Sequence, residues 1–211
     1  WLNGLVQAAP EDALFLDVGS GHGDFQDIFN GRPYIALDIV PYPEVDIACD
    51  LTQAVPFRAG SFSVIVMMNV LEHVYEAERL LTRLAGLLKP DGEIWLAVPF
   101  LLKVHQAPYD FARYTPFALR QMASNAGLTI KDLQGFYDPV FQVNDALGNL
   151  WENALPPRTG PRGLAARLAV FLAQRAINML GALLPKGSSM NPDKTANPAA
   201  MGYLAVLQKQ V

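Results

Sequence analysis

Residues 16–23, Leu16-Asp17-Val18-Gly19-Ser20-Gly21-His22-Gly23, decide the reading of this chain. The apolar run Ala13–Val18 predicts a buried strand that passes through a glycine-rich turn into a helix. Glycines there allow a tight turn and let a ligand approach the backbone with no Cβ in the way. The pattern departs from the dinucleotide fingerprint G-x-G-x-x-G, because the third glycine comes one residue early and Asp24 holds its slot. A pyrophosphate also needs a helix N-terminus that welcomes an anion. Asp17 at the strand end opposes an anion and suits a cationic amine.

Working outward, Tyr34–Asp38, Val45–Ala48, Phe62–Met68 and Glu93–Val98 read as further strands. Tyr75–Leu88 carries Leu80, Leu81, Leu84, Leu87 and Leu88 at helical spacing, and Lys89-Pro90-Asp91-Gly92 stops it. Thr115–Ala126 reads as a helix with Thr115 as N-cap, Pro116 at the first position and Gly127 as its stop. Leu128–Phe136 and Gly202–Gln208 complete the strands. Strands alternating with helices predict an α/β fold of βαβ units. The long insertion before the last strand predicts an antiparallel pair at one edge.

The chain's 211 residues favour one domain over 1–211, with 138–201 as a helical and loop insertion. A composition 51% hydrophobic and 17% charged suits a sheet covered on both faces. The net charge of -4 lacks the basic footprint of a nucleic-acid partner. Cys49 is the single cysteine, which excludes an internal disulfide and fits a reducing, cytoplasmic setting. No uncharged apolar run reaches the roughly 18–20 residues of a membrane span. Leu164–Leu184 is patterned as a helix with Arg167, Gln174 and Asn178 on one stripe and Arg175 close by. It packs on the domain, or on a second subunit in a homo-oligomer, or lies against a membrane surface. Residues 185–200 have no periodicity and read as a loop.

Two acidic positions follow strands. Asp38 comes about twenty residues after the glycine turn begins, where a carboxylate accepts from ribose hydroxyls. Asp50, in Cys49-Asp50-Leu51, could accept from an adenine amino group with Leu51 against the ring.

Taken in order, Phe15 with LDVGSGHGDF (16–25), LD (37–38), CDL (49–51), MMNVLEHV (67–74) and LKPDGEIWLAVPF (88–100) resemble the motifs of class I S-adenosylmethionine-dependent methyltransferases. The resemblance covers residues 13–137 and the last strand. It implies a Rossmann-like, mostly parallel seven-stranded sheet with helices on both faces and the last strand antiparallel. It implies S-adenosyl-L-methionine as cofactor, with Asp17, Gly19, Ser20, Gly21 and Gly23 at its methionine end. By the same resemblance Asp38 holds the ribose, Asp50 and Leu51 frame the adenine, and Asn69 lies near the sulfonium.

A second cluster, His105-Gln106-Ala107-Pro108-Tyr109-Asp110-Phe111-Ala112-Arg113-Tyr114-Thr115-Pro116, follows the fifth strand and should overhang the same rim. It resembles the H-x-x-P-x-D-x-x-R-Y-T-P stretch of methyltransferase-like proteins encoded with surface-polysaccharide genes, which implies a sugar or glycolipid acceptor. Methyl transfer needs alignment and exclusion of water, and a hydroxyl acceptor gains from a base. His105 is the first candidate base because imidazole titrates near neutrality, and Asp110 is the second. Arg113 could clamp an acceptor phosphate or carboxylate. Alternatively Asp110 and Arg113, at i and i+3, only pair and pin the loop. His73 reads as a helix N-terminal residue and His22 as a loop residue. Three scattered histidines argue against a metal site.

The expected activity is methyl transfer to a small-molecule, sugar or glycolipid acceptor. Two rivals stay in view: a non-catalytic methyltransferase-like scaffold, and a nicotinamide-dependent oxidoreductase, which the glycine spacing opposes.

Overall fold

A computed structural model of the chain describes residues 1–53, 56–136, 139–151, 160–183 and 200–210. The loop expected over 185–200 lies outside the described residues except for Ala200. The chain divides into two compact units, Trp1–Gly135 with Asn191–Val211, and Phe136–Met190.

The first unit holds β1 (Phe15–Val18), β2 (Tyr34–Asp38), β3 (Ile47–Ala48), β4 (Phe62–Met68), β5 (Leu88–Pro99), β6 (Leu128–Phe136) and β7 (Gly202–Lys209). They form one sheet in the order β3-β2-β1-β4-β5-β7-β6. β3, β2, β1, β4 and β5 run parallel, and β7 runs antiparallel to β5. The order reverses between β1 and β4. At such a switch point the loops leaving the two strands diverge and open a crevice beyond their carboxyl ends.

Alternation along each parallel strand divides the core in two, and helices cover both faces. Leu16, Val18, Ile65, Met67, Leu96 and Val98 face α2 (Ala77–Leu87) and α3 (Pro116–Asn125) through Leu80, Leu81, Leu84, Leu119 and Met122. Phe15, Val64, Val66 and Trp95 face the other way, onto Phe29 and onto Leu2 and Val6 of α1 (Leu2–Ala8). The sequence reading did not anticipate α1. Its last carbonyls are held from outside the helix. Arg32 donates to Val6 O at 2.7 Å, to Ala9 O at 3.0 Å and to Pro10 O, and its guanidinium lies 5.3 Å from the Phe15 ring centroid. A cation at a helix C-terminus meets both the unpaired carbonyls and the negative end of the dipole.

Two local expectations are corrected. The glycine turn opens a short 3₁₀ helix, Gln26–Phe29, and no α-helix. Gly23 is left-handed at φ +76 and Gly31 at φ +79, so barely two turns of right-handed backbone fit between them. Lys89–Gly92 does stop α2, but as an excursion inside β5. Phe62 pairs with Leu88 while Val64 already pairs with Glu93, and Asp91 turns the chain at φ +59. Thr115 caps α3 by accepting from the Ala118 N–H at 3.2 Å, and Gly127 follows at φ +72.

The second unit pairs α4 (Pro139–Asn149) with α5 (Pro161–Leu183). Two members of the polar stripe read from the sequence make contacts within this unit. Asn178 accepts from Asn144 of α4 at 2.7 Å, and Arg167 stacks 4.9 Å from the Trp151 ring centroid. Among the described residues no helix is long and apolar enough to cross a membrane.

Candidate cofactor and acceptor site

Five parallel strands put the segments after Val18, Asp38, Ala48, Met68 and Pro99 on one rim. The glycine turn comes first. Gly19, Gly21 and Gly23 all take positive φ, at +73, +54 and +76. A Cβ on Gly19 would stand 2.4 Å from Val70 Cγ2, so a side chain is excluded by space as well as by dihedral. The Gly19 and Ser20 N–H groups donate to Leu37 O at 2.8 and 3.0 Å, which ties the turn to β2. Asp38 completes the tie: Oδ2 accepts from the Gly21 N–H and Oδ1 from the Val40 N–H, each at 2.9 Å.

Within this turn two polar groups have less than they need. Ser20 Oγ is buried with no hydrogen-bond partner. Asp17 is buried, and Tyr34 Oη donates to its Oδ2 at 2.8 Å. Burial pushes the Asp17 carboxyl up to about 6, against the Tyr34 hydrogen bond that pulls it down, with the Asp38 charge adding to the rise. A buried carboxylate beside an unpartnered hydroxyl fits an ammonium group with hydrogen-bonding neighbours.

The remaining cofactor candidates lie along the same rim. Asn69 takes φ +55 immediately after β4, exposed, with its N–H on Ala97 O at 3.0 Å. Left-handed backbone at a non-glycine residue is uncommon, and asparagine tolerates it best. Asp50 Oδ1 accepts from the N–H and the hydroxyl of Thr52, at 2.8 and 2.7 Å. Leu51 is buried in the larger core, and its carbonyl accepts from Arg83 of α2 at 2.8 Å. His22 is exposed, faces Glu44 at 3.7 Å and stays outside the turn's hydrogen bonds.

The loop after β5 folds back onto a 3₁₀ turn, Leu71–His73, that follows Asn69. The Phe111 N–H donates to Glu72 O at 2.8 Å and Tyr114 Oη to Leu71 O at 3.1 Å. Inside the loop, all five guanidinium N–H groups of Arg113 have acceptors. They go to Leu102 O, Lys103 O, Ala112 O and both oxygens of Asp110, the last at 2.5 and 2.8 Å. No donor is left over to clamp an acceptor, so the expectation of an acceptor-binding Arg113 gives way to the pinning alternative. The Arg113 guanidinium holds the Asp110 carboxyl well below the usual carboxylate range, which makes Asp110 a poor base. Asp110 instead accepts from the His105 N–H at 2.8 Å and faces His105 Nδ1 at 3.2 Å.

Two of the three histidines are not scattered. His73 and His105, thirty-two positions apart in sequence, meet edge to face with ring centroids 4.8 Å apart. Glu72 stands between them with a side chain 0% exposed, and neither carboxylate oxygen has a hydrogen-bond partner. Its Oε1 lies 3.7 Å from His73 Nε2 and 3.8 Å from His105 Nε2. Burial pushes the Glu72 carboxyl up, opposed by its own backbone N–H and then by the nearby imidazoles and Arg113. Sequence reasoning gave Glu72 no role. The available signal was an ionisable pair, Glu72-His73, directly behind an apolar strand that ends on the rim.

The model for the methyltransferase domain matches residues 1–133. The chain belongs to the methyltransferase domain family. Curated relatives include ubiquinone biosynthesis O-methyltransferases. That of Xanthomonas axonopodis pv. citri (strain 306) is 28% identical over 62% of this chain and 69% of its own length. That of Thiobacillus denitrificans is 32% identical over 40% of this chain and 44% of its own length. The first three relatives are spanned over only 69%, 58% and 41% of their lengths. In fold, the chain is similar to the [4+2]-cyclase SpnF, at a TM-score of 0.60 and 18% identity, over 100% of this chain and 80% of that one. It is equally similar to the Burkholderia thailandensis 1,6-didemethyltoxoflavin-N1-methyltransferase with bound S-adenosylhomocysteine. There the TM-score is 0.60 and the identity 17%, over 100% of this chain and 77% of that one. With the family comes S-adenosylmethionine as cofactor, and the cationic amine that Asp17 and Ser20 fit is one that this cofactor carries.

Proposed function

We propose that this methyltransferase domain transfers a methyl group to a hydroxyl of a small molecule, sugar or glycolipid held over the loop after β5. The observation that carries the reading is the rim itself, where the glycine turn and the His105 loop belong to the same set of strand ends. S-adenosylmethionine supplies an activated methyl on a sulfonium. Asp17 and the turn take its amino-acid end, Asp38 the ribose, Asp50 and Leu51 the adenine, and Asn69 stands nearest the acceptor. His105 takes the acceptor's proton, held in orientation by Asp110, which Arg113 anchors in turn. The O-methyltransferase names of the relatives support an oxygen acceptor, and the H-x-x-P-x-D-x-x-R-Y-T-P stretch supports a glycan.

The experiment is turnover of S-adenosylmethionine with a panel of glycans and glycolipids, read as S-adenosylhomocysteine released. Acceptor-dependent product that falls about 10²–10⁴-fold in His105→Ala supports the reading. Cofactor binding with no product from any hydroxyl acceptor returns the scaffold alternative.

A further inference from the structure

We infer that Glu72, His73 and His105 form a binding site for a divalent transition-series cation of the zinc type. Three ligand-capable atoms, one from each residue, lie within 4.8 Å of one another. Two imidazoles with one carboxylate are a donor set that suits zinc and its neighbours better than magnesium or calcium.

The His73 tautomer supports the site. His73 Nδ1 faces Tyr109 O at 2.5 Å, and a carbonyl only accepts, so Nδ1 carries the proton and Nε2 keeps its lone pair. That Nε2 is buried and without a partner. His105 supplies the second imidazole. Its Nδ1 lies 3.2 Å from the Asp110 carboxylate and 3.4 Å from Arg113 Nη2, and its Nε2 faces Glu72 Oε1 at 3.8 Å. An imidazole whose second nitrogen donates to a carbonyl or carboxylate is the usual state of a metal-bound histidine.

Between the two Nε2 atoms lies a fully buried carboxylate with no hydrogen-bond partner. Separations of 3.7 and 3.8 Å are too long for hydrogen bonds. Ligands on one tetrahedral zinc stand about 3.3 Å apart, given bonds of about 2.0 Å, so the carboxylate contacts need only a few tenths of an ångström, while the widest pair, within 4.8 Å, closes by side-chain rotation. Unpartnered acceptors converging on one point are costly unless a cation or a proton meets them.

The use of this site rests on the methyl-transfer reading, but its existence does not. A cation held there lowers the pKa of an acceptor hydroxyl bound to it. The proton leaves to water, and the oxygen bonds the methyl carbon as the carbon–sulfur bond breaks and its electron pair stays on sulfur. His105 is then a ligand, and its role as base belongs to the cation-free protein.

The test is titration of the chelator-stripped full chain with zinc chloride by calorimetry, in parallel with S-adenosylmethionine. The expected result is one zinc per chain, weakened about 10–100-fold or more in Glu72→Gln, His73→Gln and His105→Gln and unchanged in His22→Gln. Glu72→Gln keeps the buried side chain's size, and circular dichroism verifies its fold. A folded wild-type chain that takes up no zinc overturns the site, as does zinc binding that survives Glu72→Gln and His105→Gln. A chain that binds S-adenosylmethionine and no zinc overturns the cation site alone and leaves methyl transfer standing.

Discussion

The glycine turn and the His105 loop share one rim, yet they are built on opposite plans. The turn is made of backbone: three left-handed glycines, N–H groups on Leu37 O, and one carboxylate, Asp38, bracing Gly21. The loop is made of side chains: a guanidinium with five acceptors, an orienting aspartate, and two imidazoles around a buried glutamate. A backbone site is specified largely by its local pattern, here residues 16–23, with Leu37 and Asp38 of the next strand as its ties. A side-chain site needs segments that only the fold brings together, here Leu71–His73 and 102–113. The turn should therefore fail by strain, and the loop by misalignment.

The largest effect should come from Gly19→Ala. Left-handed strain and the Val70 contact together should cost about 1–3 kcal/mol and remove cofactor binding, read by thermal unfolding and calorimetry. If the variant binds cofactor as wild type, the turn is less constrained than its geometry implies. Asp110→Asn should come next. It weakens the hold on His105 and leaves the turn untouched, so kcat/KM should fall about 10²-fold with cofactor Kd unchanged. A parallel loss of cofactor affinity would show that the two regions are not separable.

The smallest effect concerns pH. Asp17 is raised from 3.8 to about 6 in the folded protein. The folded state therefore binds the extra proton between those values, and stability from this group falls as pH rises through the window. A cofactor ammonium needs the ionised form, so its binding must expel that proton below about pH 6. Affinity should weaken by up to about tenfold per pH unit below 6, and Asp17→Asn should flatten that profile. A wild-type profile flat from pH 7 to pH 5 would place the amine elsewhere.

The same contrast explains what was legible in the sequence. Strands such as Tyr34–Asp38 and Phe62–Met68 are apolar runs between turn residues, and their observed bounds match the reading, as do those of the more polar Leu128–Phe136. Helix α1 was not legible because its anchor is Arg32, more than twenty residues away. The helix after the glycine turn failed because Gly23 is itself left-handed and shortens the space available. In the site, motif residues 17–23 and 38 were readable from local pattern. The Glu72–His73–His105 grouping was not, since sequence spacing says nothing about a loop that folds back by 32 positions.

Titration with S-adenosylmethionine, with NADH as control and Asp38→Ala alongside, reads cofactor binding at the glycine turn. S-adenosylmethionine should bind, NADH should not, and Asp38→Ala should weaken binding by unbracing Gly21 and removing the carboxylate proposed to hold the ribose. At 100 times its Kd the ligand should also stabilise the fold by about 2.7 kcal/mol. Binding of NADH in its place, or S-adenosylmethionine affinity indifferent to Asp38→Ala, would contradict cofactor binding at the turn.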